Sequence, residues 1–326
     1  METEYARRLN SIPVVFLSFK HCLGETMDAI KDDIAAEIFK EYKKHSKYLV
    51  TEADREGYSY FQFFKTLKAL KEKKIDETHL KYSIYYLLEA LYAFHGVRPI
   101  VLLDEYDSPV IKAHLGGFSR EFTQFFYSGF LIESFKGNPH LGQALITGIT
   151  KVSTNLDNIV TYTVDCQQFS PYFGFNKEEA RSLLAYYNLE LSKKVSAFYN
   201  GYLFSDIHIY NPWSILNYAA TKILQNYRVK TSIDKLIKDS VIDAKYDFHY
   251  GLKKLIRDDK VSVMLNFETS FADLPRANYL WGLLVNAGYL TVVKADYKWN
   301  RFICHLPNEE SRKEFEEVVL ANTKLD

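Results

Sequence analysis

Apolar runs of strand length alternate with helical stripes over the first half of the chain. Four runs predict strands, at 12–19, 99–105, 141–148 and 161–165. Between them apolar residues recur every three or four positions, for example from Met27 to Tyr42 and from about Asp76 to Phe94, which predicts amphipathic helices. Strands separated by helical stretches of more than a dozen residues are joined by parallel crossovers. The pattern therefore predicts an α/β fold with a doubly wound, mainly parallel sheet.

The pattern changes after Pro171. Asn176 followed three residues later by Glu179 predicts a capped helix start, and the pair Asn211–Pro212 predicts another. From Val261 the order becomes strand, helix, two strands and an acidic closing helix, which indicates a helical, winged-helix-like α+β region. We therefore predict two domains, 1–172 and 173–326.

Composition excludes several functional classes. Lys plus Arg equals Asp plus Glu at 41 each, so no global field attracts nucleic acid or an anionic membrane. Residues 227–326 hold 16 basic and 15 acidic side chains, so charge does not support DNA binding there either. The three cysteines lie far apart, which favours reduced thiols over disulfides or zinc. With neither a signal peptide nor an apolar stretch near the ~20 residues of a membrane span, we expect a soluble cytoplasmic protein.

The strongest chemical signal is the apolar run that ends in Asp104 and Glu105. Ligands of doubly wound sheets bind outside the carboxyl ends of the strands, where this pair is expected to lie. A third acid, Asp107, and the following proline predict a tight turn beside it. Such acids suit a Mg²⁺–nucleotide site, in which the first holds the metal and the second activates a water. The alternative is a strand that simply ends on solvated acids.

Two further residues are candidates for the same site. Thr147 ends the next apolar run and would lie beside the acids if the two strands are neighbours. A hydroxyl at that position could orient a water or a phosphate. The alternative is that it forms a hydrogen bond with a backbone group. Lys151 is a nearby cation that could neutralise phosphate charge, or could be an ordinary solvated lysine. The sequence contains no G-x-x-x-x-G-K-[ST] phosphate loop, no zinc-binding histidine spacing and no nucleophile elbow.

Six strings in this order resemble the bacterial AAA-ATPase-like family, and they span nearly the whole chain. They are Leu102–Pro109, Ile146–Ser153, Tyr172–Phe175, Phe198–Phe204, Ile209–Ser214 and Gly288–Thr291. The resemblance implies a P-loop NTPase core, followed by a helical and winged-helix-like region and, in longer relatives, by a PD-(D/E)XK-type nuclease domain. It implies Mg²⁺ and ATP as cofactors, with binding in doubt when the phosphate loop is missing.

The same resemblance implies a role for each candidate residue. Asp104 matches the Walker B acid that binds the metal, Glu105 the catalytic carboxylate and Thr147 the sensor of the next strand; Asp107 is a further candidate for cofactor binding. Lys151 stands where the family often has an arginine, and lysine lacks the bidentate fork of that residue.

The chain departs from the family pattern at both ends. Family members carry a first strand, a phosphate loop with its lysine (Walker A) and a helix, all upstream of the segment that matches 12–19, and the nuclease signature is also missing here. We therefore expect a truncated core, an ATPase that is weak or inactive as it stands. The alternatives are a non-catalytic interaction module, which binds a protein partner or self-associates, and a truncated or degraded gene product. Nucleic acid binding is supported by family analogy alone.

Overall fold

The chain divides into two compact units in the computed structural model. The first unit comprises residues 1–148 with 152–159, and the second comprises 149–151 with 160–326. The domain boundary predicted at residue 172 falls within the second unit, at a 3-10 turn over Ser170–Tyr172, and remains a prediction about independent folding. The structure describes residues 9–49, 58–151, 158–228, 232–268 and 276–319.

The first unit consists of three strands and the helices that connect them. In chain order its elements are β1 (Val14–Ser18), α1 (Met27–Leu49), α2 (Tyr58–Lys71), α3 (Glu77–His95), β2 (Ile100–Asp104), α4 (Ser108–Leu115), α5 (Ser119–Phe125), a π-helical turn (Phe126–Leu131), α6 (Ile132–Phe135) and β3 (Gln143–Ile146). The predicted helix from Asp76 is confirmed: the Asp76 carboxylate accepts a hydrogen bond from the His79 N–H at 2.8 Å and caps α3. The start of α3 thus lies where the sequence predicts it.

The three strands form one parallel sheet in the order β1-β2-β3. Val15 lies opposite Val101, and Leu103 lies opposite Ile146. The prediction of an α/β fold with parallel strands is therefore confirmed for this sheet. The finer prediction, a P-loop NTPase-type sheet with helices on both faces, remains a prediction.

The two faces of this sheet differ in burial. Val15, Leu17, Val101 and Leu103 alternate along β1 and β2 on one face, and each is at most 1% exposed. Side chains of the other face are half-buried or exposed, and Phe16 reaches 51% exposure. One face of the sheet therefore belongs to the core, and the other is partly open.

The outer edge of β1 is closed by side chains of α1. Pro13 C=O accepts from Ile100 of β2, so by alternation the backbone groups of Val14 and Phe16 face away from β2. The Phe16 N–H donates to the Glu41 carboxylate at 3.2 Å, and Lys44 donates to Val14 C=O at 3.3 Å. An edge whose donors and acceptors are used in this way offers little to an added strand.

The second unit is a mixed α+β structure. Its elements are α7 (Lys177–Tyr186), α8 (Lys193–Tyr199), β4 (Tyr202–Phe204), β5 (Ile207–Ile209), α9 (Pro212–Thr221), α10 (Ser232–Ile242), α11 (Tyr246–Asp258), β6 (Val261–Met264), α12 (Ala277–Asn286), β7 (Thr291–Asp296), β8 (Arg301–His305) and α13 (Glu309–Val318). β4 and β5 form an antiparallel hairpin, and the last three strands form an antiparallel sheet in the order β6-β8-β7.

The helix starts predicted in this unit are confirmed, and one predicted strand is wrong. Asn176 and Glu179 form the reciprocal capping box of α7, and Asn211 caps α9 with Pro212 as its first residue. Residues 161–165 form turns and irregular backbone. The Asp165 carboxylate accepts a hydrogen bond from the hydroxyl of Thr163, so a local side-chain contact occupies this segment where a strand ladder was expected.

A buried ionic cluster in the second unit, here named the Arg228 cluster, consists of Arg228, Glu310 and Glu314. The Arg228 Nε lies 2.6 Å from Glu314 Oε2, and its two terminal nitrogens donate to the carbonyls of Ala287 and Gly288 at 3.0 Å. Other acids of the cluster have their own donors: Glu310 accepts from the Ser214 hydroxyl at 2.7 Å. Burial outweighs the attraction of Arg228 and raises the pKa of Glu314 to about 7.

Within the described part of the chain, no helix combines the length and the apolar character that crossing a membrane requires.

Candidate functional site

The carboxyl ends of the parallel strands bring three polar side chains together. Asp104 ends β2, Ser18 ends β1, and Thr147 directly follows β3. The Thr147 hydroxyl donates to Asp104 Oδ1 at 2.6 Å, and the Ser18 hydroxyl lies 3.5 Å from Asp104 Oδ2, a long contact. The backbones of the two strands are also paired next to this contact, because Thr147 N–H donates to Leu103 C=O at 2.9 Å. Asp104 is therefore half-buried, central and oriented by a hydroxyl on the neighbouring strand.

Glu105 stands at the tip of the same strand in an unusual conformation. Its φ of 48° lies in the left-handed region, which costs a residue with a side chain on the order of 1 kcal/mol or more. The turn is fixed on both sides: Tyr106 N–H donates to Thr147 C=O at 3.1 Å, and the Ser108 hydroxyl donates to Glu105 Oε2 at 3.1 Å. The Glu105 carboxylate is thus held at the strand tip, half-exposed, beside the start of α4.

Asp107 lies deeper than the other acids. It is 2% exposed, and a Cβ added to Gly148 would lie 2.7 Å from its Oδ1. Burial, together with the nearby charge of Asp107, raises the pKa of Tyr127. The Asp107 carboxylate is therefore enclosed next to Gly148, below the strand tip. Its predicted contact with a cofactor remains a prediction.

Lys151 does not belong to the compact unit that contains the candidate acids. It belongs to the second unit and forms an ion pair there with Glu268, in which both side chains are about half-exposed (41% and 46%). Its predicted role in sensing phosphate charge stays a prediction. Another lysine lies at the acidic end of the sheet: Lys20 is exposed and follows Phe19, whose N–H donates to Asp104 C=O at 3.0 Å.

Sequence reasoning missed Ser18, Lys20 and Ser108. The rule that selected Thr147, a polar residue near the end of an apolar run, also applies to Ser18, the next-to-last residue of the run at 12–19. Ser108 carried a weaker signal, because its contact with Glu105 depends on the left-handed turn between them. Ser18 and Ser108 thus contact the acids directly, and Lys20 follows the residue whose N–H donates to Asp104 C=O.

The donor set fits a hard divalent cation such as Mg²⁺ only when a ligand supplies further oxygens. Mg²⁺ is usually bound by one or two carboxylates with phosphate oxygens and waters, and Asp104 with its neighbouring hydroxyls can supply such a carboxylate. No group of three or more His, Cys, Asp or Glu side chains that could bind a metal occurs in the described ranges. The residues present therefore fit a metal that arrives with a nucleotide.

A groove of about 560 Å³ is located in the second unit, away from these acids in the sequence. It lies between β4 and β7, and its polar lining residues include Asp165, Ser205, Asp206, Lys294 and Tyr297. None of the sequence-predicted site residues lines it.

The first unit is thus an α/β unit whose parallel sheet has an aspartate and a glutamate at the tip of its central strand and a threonine on the next strand. A comparison with protein families has a match over the same unit. Residues 1–157 match the model of the AAA-ATPase-like family, described as predicted AAA-ATPase. The resemblance stated from the sequence is thereby confirmed.

One relative has been found among curated proteins, an uncharacterized protein in the vnfD 5′ region of Azotobacter chroococcum mcd 1. It is 24% identical over 246 residues, which cover 72% of this chain and 45% of the relative. The chain thus spans less than half the length of the relative that it matches. Comparison with solved structures finds no match.

Proposed function

We propose that the chain carries the hydrolytic half of a Mg²⁺–ATP site. The observation that supports this most directly is the 2.6 Å hydrogen bond from Thr147 to Asp104 at the carboxyl end of a parallel sheet, beside Glu105. The match of residues 1–157 to the AAA-ATPase-like family model supports the same chemistry. A carboxylate at a strand tip, oriented by a hydroxyl, is suited to hold a cation that bridges phosphate oxygens.

Each residue has a distinct role in this proposal. Asp104 binds the metal, Glu105 orients and deprotonates the attacking water, and Thr147 senses the phosphate while it positions Asp104. Ser108 holds the Glu105 carboxylate in place. The exposed Lys20 adds a positive charge at this end of the sheet, where phosphate charge develops.

The chain lacks the part of such a site that provides most of the affinity. Its sequence has no G-x-x-x-x-G-K-[ST] segment, so the backbone cradle and the lysine that bind the β- and γ-phosphates come from residues outside 1–326. We therefore expect weak binding of Mg²⁺–ATP by this chain and hydrolysis close to background.

Paramagnetic broadening tests the site without requiring turnover. Mn²⁺ with ATP should broaden the amide resonances of residues 103–108 and 147, and Asp104→Asn should abolish that broadening. Glu121→Gln, which alters an exposed acid of α5, is the matched control and should change nothing. Broadening that is unchanged in Asp104→Asn contradicts the proposed metal site.

Radiolabelled ATP tests the expected lack of turnover in the same preparations. Release of phosphate should stay near background for the unchanged chain and for Glu105→Gln alike. Clear turnover that Glu105→Gln removes would show that these residues hydrolyse ATP without a cradle, and would contradict the expected inactivity while supporting the site.

A second candidate function is a non-catalytic interaction module. The partly open sheet of the first unit favours it, since exposed apolar side chains and an unpaired strand edge are features of protein contact surfaces. Absence of any Mn²⁺–ATP broadening at residues 103–108 would favour this function over the first.

We further propose that the sheet β6-β8-β7 and α12 form a winged-helix-like module, because the order along the chain of strand, helix, two strands and closing helix is the order predicted from the sequence. α12 contains no charged residue and is mostly buried, so we do not expect it to bind nucleic acid.

A further inference from the structure

The groove between β4 and β7 exists because a side chain joins these strands where a ladder could have closed it. Leu203 N–H donates to Thr291 Oγ1 at 2.8 Å, and the Thr291 hydroxyl donates to Leu203 C=O at 3.2 Å. In the described ranges no backbone hydrogen bond joins β4 directly to β7. The groove along them has a volume of about 560 Å³. Pockets for small molecules usually measure roughly 300–1,000 Å³.

The rest of the groove lining is held in place by hydroxyl contacts. It includes the turn after β4 and the segment 164–167. The Ser205 hydroxyl donates to Asp165 C=O at 2.7 Å, and the Ser170 hydroxyl lies 3.2 Å from Ser205 Oγ. Ser205 has a left-handed φ of 53° in the tight turn between β4 and β5. The turn and the segment are therefore fixed to each other.

Two acids line the groove, and both act on one hydroxyl. Asp165 Oδ2 lies 3.4 Å from the Tyr297 hydroxyl, a long contact. Burial raises the pKa of Tyr297, and the charges of Asp165 and Asp206 raise it further. Asp206 is exposed and forms no hydrogen bond or ion pair within the described residues. Both carboxylates are therefore within electrostatic reach of the same side chain, and one of them has no described partner.

The lining as a whole is electronegative. Among the described residues that line the groove, Lys294 alone is basic, against the two acids. It forms no ion pair with Asp165 or Asp206 in the described part of the chain. A cationic ligand would therefore meet attraction that no lysine of the lining already satisfies.

The remaining lining is mainly apolar, with aromatic rings that are held in place. Phe204 and Phe267 are half-buried, and Tyr297 is 66% exposed. Phe173 contacts Phe204 edge-on at 5.4 Å between ring centroids, and Phe302 contacts Phe267 in the same way at 5.6 Å. Ring faces next to carboxylates attract organic cations, because the ring quadrupole and the negative charge act in the same direction.

We propose that this groove binds a small organic cation that has an apolar body. Its ammonium or guanidinium group lies at Asp165 and Asp206, and its apolar part lies against Phe204 and Phe267. This ligand site is independent of the proposed nucleotide site, because none of the candidate acids of the first unit lines the groove.

Other occupants fit these contacts less well. In the described part of the chain, no cluster of three or more His, Cys, Asp or Glu side chains could hold a metal. A peptide strand pairs with a continuous backbone edge. Here the groups of Leu203 are bonded to Thr291, and a bulge between Val292 and Lys294 interrupts β7. A small molecule, which uses side chains and needs no backbone edge, is the occupant that the groove favours.

NMR titrations of the full 326-residue chain test the proposal with three probes that share a phenethyl body. Phenethylamine is positively charged, phenethyl alcohol is neutral and phenylpropionate is negatively charged. Phenethylamine should shift the amide resonances of residues 204–206 and 292–297. Phenethyl alcohol should bind about tenfold more weakly and phenylpropionate more weakly still, because the charge-assisted hydrogen bond is lost. Added salt should weaken the binding of phenethylamine and leave that of phenethyl alcohol unchanged.

Three variants locate the charge that matters. Asp206→Asn should weaken phenethylamine binding about threefold, and adding Asp165→Asn should reduce it to the level of phenethyl alcohol. Lys294→Gln should tighten binding about twofold, because it removes a repulsive charge. Asp239→Asn, at an exposed aspartate of α10 that does not line the groove, is the matched control and should bind as the unchanged chain does. Circular dichroism verifies that each variant is folded.

Four results would overturn the proposal. Equal binding of phenethylamine and phenethyl alcohol would mean that the groove selects apolar bodies alone, and preferred binding of phenylpropionate would mean that Lys294 dominates it. Phenethylamine binding that folded Asp206→Asn with Asp165→Asn leaves unchanged would place the cation elsewhere. A blocked arginine tripeptide that binds where phenethylamine does not would identify a polypeptide side chain as the occupant.

Discussion

Replacing Glu314 by glutamine should remove part of the pH dependence of stability in the second unit. Glu314 is buried on α13 in the Arg228 cluster, where Asp234, Glu310 and Glu317 add negative charge and Arg228 provides the compensating positive charge. Burial is the largest effect on its pKa, which rises from 4.5 to about 7. Glutamine has the shape of the protonated carboxyl group and does not titrate.

The expected change in the free energy of unfolding follows from this rise in the pKa of Glu314. A rise of this size corresponds to about 3 kcal/mol of differential stability between the two protonation states. Because the pKa of Glu314 is raised in the folded state, the folded state binds the proton more tightly than the unfolded state does, and the free energy of unfolding falls as the pH rises. The stabilisation is therefore complete below pH 4.5 and is lost as the pH rises to about 7.

Urea unfolding followed by tryptophan fluorescence measures this effect, because Trp213, Trp281 and Trp299 are the only tryptophans of the sequence and lie in the second unit. Between pH 4.5 and 7 the free energy of unfolding should fall more steeply in the unchanged protein than in Glu314→Gln. The exposed Glu316→Gln on the same helix is the control and should keep the original slope. Parallel pH profiles for the unchanged protein and Glu314→Gln would refute the reasoning.

Two further predictions concern local stability. Glu41→Ala removes the acceptor of Phe16 N–H and the ion-pair partner of Lys44. It should lower the free energy of unfolding by about 1–3 kcal/mol, measured by urea titration followed by circular dichroism. Glu37→Ala on the same helix is the control and should have a smaller effect. An equal loss in both variants would show that the strand edge contributes nothing. Asn176→Ala removes the capping box of α7 and should cost about 1 kcal/mol in the same assay; an unchanged midpoint would mean that the cap is dispensable.

The sequence predicted those parts of the fold that depend on local signals. The helices that begin near Asp76, Asn176 and Asn211 have caps within three residues of their starts, so the local pattern alone predicts where these helices begin. The segment 161–165 failed for the opposite reason. It has the composition of a strand, but a ladder needs a distant partner, and the local contact of Asp165 with Thr163 forms instead.

In the candidate site, too, some features follow from local sequence patterns and others depend on tertiary contacts. The pairing of Asp104 with Thr147 could be expected from strand ends alone, since neighbouring parallel strands end at one edge. The left-handed φ of Glu105 and its contact with Ser108 could not be predicted from the sequence, because both depend on the turn that leads into α4. The enclosure of Asp107 against Gly148 likewise depends on tertiary packing.

The closed edge of β1 limits how copies of this protein can aggregate. Growth of a cross-β polymer requires every molecule to pair on two sides, and here Glu41 and Lys44 occupy one of them. Edge-to-edge pairing of the first sheet therefore stops at a pair, and fibres that grow through this sheet would first require the side chains of α1 to release β1.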